Sequence, residues 1–311
     1  MRFKELFVKS DNNPILTPSN WPYLIDHVFN PAAAIYKNET ILLVRVEDRR
    51  GFSSLSTAIS KDGITNWKIS PKSVLIPDPS NNEHAKGFED PRIVWVEELR
   101  EYVIACVSFR KERIDIPYGI SLIGTKDFND FRRISKPLDP ENKNACLFPK
   151  RIKNKFALIH RPVREGKSYI AVSFSDDLIS WEQELVLFST RKWYWDEYKI
   201  GLACPPIETE QGWILFYHGS QGKANRLIYR VGVALLDLEN LSLIRRSSEW
   251  VLGPSEIYEG GNNGIVFPCG CTVDSETKEL KVYYGADDSN VCLAITNQQE
   301  VSDYLKKCPS K

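Results

Sequence analysis

No stretch of this 311-residue chain stays apolar for the roughly 20 residues that a membrane-spanning helix needs, so a helical membrane protein is not expected. No excess of one charge is present either. Forty-one Lys and Arg balance forty-one Asp and Glu, leaving no overall field for nucleic acid or an anionic membrane. With four histidines, no HExxH and no CxxC, the chain offers no recognisable protein-built metal site. Cysteine is odd in number, at seven. Cys106, Cys146, Cys204, Cys269 and Cys292 lie in or beside apolar segments, as reduced structural thiols do. Residues 1–10 mix Lys and Glu with apolar residues and show no signal-peptide core. These features together predict a cytoplasmic protein.

What the chain does have is a repeat. Gly87-Phe88-Glu89-Asp90-Pro91-Arg92-Ile93-Val94-Trp95 sets an acid, a proline and a base at the mouth of an apolar run. The design recurs around Pro31, Pro149, Pro205 and Pro268, and the five prolines are 60, 58, 56 and 63 residues apart. After each comes a second apolar run ending in polar groups: residues 41–48, 102–109, 156–161, 213–218 and 280–288. A turn of Ser or Thr, one residue and Asp follows as Ser60-Lys61-Asp62, Thr125-Lys126-Asp127 and Ser175-Asp176-Asp177, with a degenerate copy at Asp237-Leu238. Short, evenly spaced strands with one turn signature per unit mark a radial β repeat. The expectation is therefore an all-β, five-bladed β-propeller forming a single catalytic domain over residues 1–311.

Proline cannot donate to a strand ladder, so it suits the innermost, edge strand of a blade. On that reading Asn30, Asp90, Arg92, Lys150 and Phe267, beside the prolines, converge near the axis. The plainer alternative is that the prolines only end loops.

Several side chains carry chemistry. Arg45 alternates with Leu43, Val44 and Val46 inside an apolar strand, where a charge needs a partner or a ligand. Arg49 and Arg50 fit either a ligand site or a surface turn. Glu89 and Asp90 are adjacent carboxylates, one of which can be held protonated as a general acid; a salt-bridged pair is the ordinary alternative. Trp193 to Gly201 reads as a functional loop, because exposed aromatics are otherwise a liability. Acids at Asp90, Asp287 and Asp288, and bases at Arg45, Arg49, Arg50, Lys143, Lys150, His160, Arg161, Lys199 and His218, all fall at strand ends. Carboxylates with aromatics suit carbohydrate, and clustered Arg, Lys and His suit an oxyanion.

The motifs Asn30-Pro31-Ala32, Arg45 to Gly51, Glu89-Asp90-Pro91-Arg92-Ile93, Leu147-Phe148-Pro149, His160-Arg161-Pro162, Phe216 to Gly219, Val266 to Gly270 and Tyr283 to Asp288 occur in order along nearly the whole chain. Together they closely resemble glycoside hydrolase family 130, largely β-mannoside phosphorylases on a five-bladed propeller. The resemblance implies inverting attack of inorganic phosphate on a β-mannoside, giving α-mannose 1-phosphate. Asp90 matches the general acid, whose proton passes through a mannose hydroxyl. Asn30, Arg45, His160 and Asp288 match ligands of the reacting mannose. Arg50, Lys143, Lys199 and His218 match the phosphate clamp, with Arg49 and Arg161 in reserve. No metal or cofactor is implied beyond phosphate as co-substrate. The partners are an oligosaccharide and phosphate, with neither nucleic acid nor membrane, and a homo-oligomer is left open.

Two alternatives stand beside this one. A β-mannosidase of the same fold would use a second carboxylate, Glu47, Glu89 or Glu259, to activate water. A non-catalytic propeller would bind glycans without turnover. Loops 77–86, 110–118 and 191–198 are the expected seat of linkage specificity, and 109–113 of rim chemistry or a subunit contact.

Overall fold

The structure, a computed structural model, describes every residue except 1–4, 82–83, 110–117, 139–141, 165–166, 224–225 and 311. The segment 110–113 and most of loop 110–118 therefore lie outside the described residues.

The strands form antiparallel groups in chain order. The first group is His27–Tyr36, Glu39–Glu47, Ser53–Ser60 and Lys68–Ile69; the second is Gly87–Val96, Glu101–Phe109, Tyr118–Thr125 and Phe131–Leu138. A single parallel pairing, Ser53 with Gly87, joins these two into one sheet. The third comprises Asn142–Leu147, Phe156–Arg164, Lys167–Ser175 and Glu182–Ser189. In the fourth, Lys199–Leu202 and Ile207–Thr209 both pair with Gly212–Lys223, followed by Arg226–Leu236 and Leu243–Arg246. The fifth has Val266–Val273, Glu279–Ala286 and Asn290–Asn297, and its outermost strand is Val8–Lys9 from the other end of the chain. One α-helix, Gln298–Lys307, follows, capped by the Asn297 side chain accepting from the Gln299 amide.

The Ser/Thr-x-Asp signature is the turn between third and fourth strands. Asp62 accepts the amides of Ile64 and Thr65, Asp127 those of Asn129 and Asp130, Asp177 those of Ile179 and Ser180, and Asp237 those of Glu239 and Asn240. Such an Asp turn replaces backbone ladder bonds at the reversal. The fifth group needs no copy, because its fourth strand arrives from the N-terminal side.

First strands lie against one another: His27–Tyr36 touches Gly87–Val96 and Val266–Val273, and Asn142–Leu147 touches Gly87–Val96 and Lys199–Leu202. Apolar residues fill the space between groups. Trp213, for example, is fully buried and meets Phe148 edge-on at 5.0 Å.

The proline rule holds in part. Pro31, Pro91 and Pro268 lie within first strands. Pro149 and Pro205 instead follow theirs, which end at Leu147 and Leu202. The true equivalence is a bulge. Asn30-Pro31 faces Val44 alone, Asp90-Pro91 faces Cys106 alone, and Asn144-Ala145 faces His160 alone. The third repeat thus keeps the bulge and drops the proline.

Val8–Lys9 is held by a buried charge pair. Lys9 Nζ donates to Glu259 Oε2 at 2.6 Å and to the Gly253 carbonyl at 2.9 Å. Glu259 is fully buried and also accepts from Tyr284 Oη and the amides of Ser255 and Glu256. This corrects the expectation of Glu259 as a candidate base: every oxygen is already engaged, away from the cleft described below. Lys9→Met strands the Glu259 carboxylate in the interior, and a loss of about 3 kcal/mol is expected. Thermal unfolding reads it as a lowered Tm; an unchanged Tm would mean that this pair does not hold the strand.

Candidate active site

The cleft opens where first strands begin and second strands end. Its volume is ≈ 510 Å³, and its wall includes Asn30, Arg45, Glu47, Glu89, Asp90, Lys143, Asn144, Arg161, Lys199, His218, Tyr229, Phe267, Asp287 and Asp288.

Backbone geometry selects the residue types here. Asn30, Asp90 and Asn144 take the left-handed conformation at their bulges, with φ of 46°, 48° and 53°, and Asp287 and Asp288 do so at 48° and 50°. Asn and Asp tolerate that region better than other side chains with a Cβ, and strain of this kind concentrates at functional sites. Gly285 answers the same crowding. A Cβ there would lie 2.0 Å from Asn30 Oδ1.

Arg45 organises the acidic half. Its Nη1 donates to Asp90 Oδ1 and its Nη2 to Glu47 Oε2, both at 3.2 Å; Nη2 also donates to Glu89 Oε1, and Nε to Ser53 Oγ at 2.9 Å. Asn30 Nδ2 donates to the same Asp90 oxygen at 2.8 Å, while Asn30 Oδ1 is buried with no hydrogen-bond partner among the described residues. Behind Asp90, the fully buried Arg92 donates to the Asp90 carbonyl at 3.0 Å and to those of Leu202 and Ala203 at 2.7 Å each.

These surroundings split the carboxylates. Burial favours a protonated Asp90, but Arg45, the Asn30 amide and Arg92 outweigh it and hold this carboxyl below its usual range. Burial pushes Glu89 up to about 7 against the pull of Arg45, and pushes Asp288 up to about 6, helped by the Asp90 charge.

The opposite half is basic. Lys143, Arg161 and Lys199 line it with His218. Burial, then repulsion from Arg161 and Lys143, lowers the Lys199 ammonium; burial and the charges of Arg161 and Arg92 hold the fully buried His218 well below its usual range, so its imidazole is neutral at pH 7. Phe267 stacks obliquely on His218 with centroids 4.4 Å apart, and Tyr229 closes that wall.

Of the expected site residues, Asp90, Asn30, Arg45, Asp288, Lys143, Lys199 and His218 come together here. Two do not. His160 is buried behind the wall, with Nδ1 bonded to Asn142 Oδ1 and Nε2 to Ser173 Oγ, both at 2.9 Å. Strand alternation gives the reason. Arg45 pairs with Phe29 and Arg161 with Lys143, so Arg161 is the counterpart of Arg45, and His160, one residue earlier, points to the opposite face as Val44 does. Arg50 lies on an exposed turn and is paired with Asp48 at 2.7 Å; Arg49 is equally exposed and reaches Asp26 at 3.5 Å. Neither lines the cleft.

Other expectations are also corrected. Lys150 is half-exposed and paired with Glu208, and Arg92 lies beneath the wall instead of in it. In the loop before Lys199, Trp193, Tyr194 and Tyr198 are exposed as expected. Trp195 is buried on Tyr217, and Asp196 is buried between Arg191 and Arg246. Asp287, one of the strand-end acids, lies in the cleft as well, whereas Asn144 and Tyr229 escaped sequence reasoning as site residues. Aligning Asn144 with Asn30 and Asp90, instead of following the prolines, would have found the first.

A family model described as beta-1,4-mannooligosaccharide phosphorylase matches residues 10–307. The chain belongs to glycoside hydrolase family 130. Among curated relatives, the Ruminococcus albus beta-1,4-mannooligosaccharide phosphorylase is 31% identical, over 97% of this chain and 92% of that one. A 1,2-beta-oligomannan phosphorylase from Thermoanaerobacter sp. is 33% identical, over 93% and 97%. A Listeria innocua beta-1,2-mannobiose phosphorylase structure superposes with a TM-score of 0.87 at 24% identity, over 97% of this chain and 99% of that one, a likeness of fold.

Within this family 130 cleft, Arg161 and not Arg50 stands in the basic half. Arg161→Ala is expected to weaken phosphate binding roughly tenfold or more, the worth of a charge-assisted bond, and Arg50→Ala to leave it within about twofold. Titration calorimetry with phosphate checks both, and the reverse ranking would restore Arg50 to the clamp.

Proposed function

We propose that this chain is an inverting β-mannoside phosphorylase. Inorganic phosphate attacks the anomeric carbon of a β-mannoside, with no other cofactor, and releases α-mannose 1-phosphate and a shortened acceptor. One observation carries the reading: the cleft is divided into a carboxylate half around Arg45 and a basic half of Lys143, Arg161 and Lys199. A sugar needs polar partners of both kinds, and a dianionic nucleophile needs the bases. The names of the relatives, phosphorylases of β-1,4-mannooligosaccharides and 1,2-β-oligomannan, support it.

Asp90 is the general acid in this reading. In the open cleft its carboxyl is ionised, because Arg45, Asn30 and Arg92 outweigh burial. A sugar that displaces water and a phosphate that adds negative charge both favour the protonated form, so loading the cleft arms the acid. Asn30, Arg45 and Asp288 hold the mannose, and Lys143, Arg161, Lys199 and His218 hold the phosphate. A neutral His218 can donate its one ring N–H to an oxyanion oxygen.

The five antiparallel groups are read as the blades of a five-bladed propeller forming one catalytic domain over residues 1–311. Support comes from abutting first strands and from closure of the last group by Val8–Lys9. All seven cysteines carry free thiols, which supports a cytoplasmic setting.

Incubation with β-1,2-, β-1,3- and β-1,4-mannobiose, with and without phosphate, tests the activity. Mannose 1-phosphate is expected only with phosphate, and the productive substrate names the linkage. Free mannose at equal rates in both buffers would instead make the chain a β-mannosidase. Asp90→Asn is expected to lower kcat by about 10²–10⁴; full activity in that variant would remove Asp90 from its role.

A further inference from the structure

Glu89 stands at the seam between the two halves. Its Oε1 accepts from Arg45 Nη2, and its Oε2 lies 3.9 Å from Lys143 Nζ. Among the described residues, the charged groups that act on it most strongly are Arg45 and Glu47 from the first group, Asp90 beside it on its own strand, and Lys143 from the third. Arg161 and Lys199 continue the basic half beyond Lys143. Lys143 therefore serves two anions when the site is loaded: the Glu89 carboxylate and an oxyanion among the bases. Two negative charges sharing one ammonium in a buried cleft repel each other.

We propose that Glu89 is the charge-compensating residue of the oxyanion site: it takes up one proton from solvent as the anion binds, releasing Lys143 to it. The inference rests on the phosphorylase reading and adds to it a role for a carboxylate which that mechanism leaves idle. Burial already brings Glu89 to about 7, so a modest further push completes its protonation near neutral pH. The sign follows directly. Below that pH Glu89 is already neutral and the anion binds without hindrance; above it each binding event must import a proton, so affinity falls as pH rises. The positioning also protects Asp90. A neutral Glu89 can still accept from Arg45, so Arg45 stays beside the acid.

Sulfate is the probe, because it keeps its double charge across the range studied and any proton taken up belongs to the protein. Calorimetry at pH 7.5 in two buffers of different ionisation enthalpy counts that proton. The wild-type enzyme is expected to take up roughly 0.5–1 proton per sulfate, with affinity falling up to about tenfold per pH unit above pH 7. Glu89→Gln is expected to bind sulfate with uptake near zero and a nearly flat pH dependence. Glu89→Asp, which keeps an ionisable carboxyl, should retain the uptake. Uptake undiminished in Glu89→Gln would assign the proton to Asp90, Asp288, His218 or Lys199 and overturn the proposal. Wild-type binding without uptake, or a folded Glu89→Gln that no longer binds sulfate, would also overturn it. Failure of wild-type enzyme to bind either sulfate or phosphate would instead remove the oxyanion site, and with it the phosphorylase reading.

Discussion

A single buried guanidinium ties the site to the fold. Arg92 is fully enclosed, and its hydrogen bonds go to three backbone carbonyls, Asp90 on its own strand and Leu202 and Ala203 on the fourth group. A cation held without a carboxylate is costly unless its donors are well used, and only the rigid fork of arginine reaches three carbonyls at once. The arrangement fixes the left-handed turn at Asp90 against a strand about 110 residues away. Its charge also acts through space. It helps to lower Asp90 and to keep His218 neutral, so one residue outside the cleft tunes groups in both halves.

The bulge is the local device that this pin stabilises. A regular strand would send alternate side chains to opposite faces and leave only one residue per turn at the mouth of the cleft. Two residues against one turn Asn30, Asp90 and Asn144 inward at equivalent places. Proline after Asn30 and Asp90 is tolerated because the bulge residues give up ladder bonds, and those strands leave their other edge unpaired or nearly so. Gly285 then lets Asn30 come close enough to reach Asp90.

How much of this could be read from the sequence follows from how local each signal is. The Asp turns depend on neighbouring amides, so Asp62, Asp127, Asp177 and Asp237 marked their places without tertiary information. Arg45 was legible because a charge inside an apolar alternation must have a reason. The errors were of phase and reach. His160 and Arg161 are neighbours, and choosing between them requires the strand register, which a bulge shifts. Arg50 belongs to a dense charge run, but the strand ends at Glu47 and the turn carries Arg50 to solvent. Glu259 needed knowledge that Lys9, 250 residues away in sequence, closes the last group.

The division of charge within the cleft also explains how the fold tolerates so many charges in one place. Five carboxylates and four Lys or Arg side chains line one cavity, in a chain whose charges cancel overall. Left apart, either half would repel itself and draw counter-ions. Arg45 sits among the acids, and Lys143 leans from the bases toward Glu89, so each half carries one member that satisfies the other. On the proposed reading a phosphate competes with those internal contacts, which limits how tightly it is held. For a co-substrate that has to be consumed and replaced at every turnover, moderate binding is the useful outcome, since tight ground-state binding adds nothing to the chemical step. On that reading, the pairing that offsets the charges within the cleft also keeps it from becoming a phosphate trap.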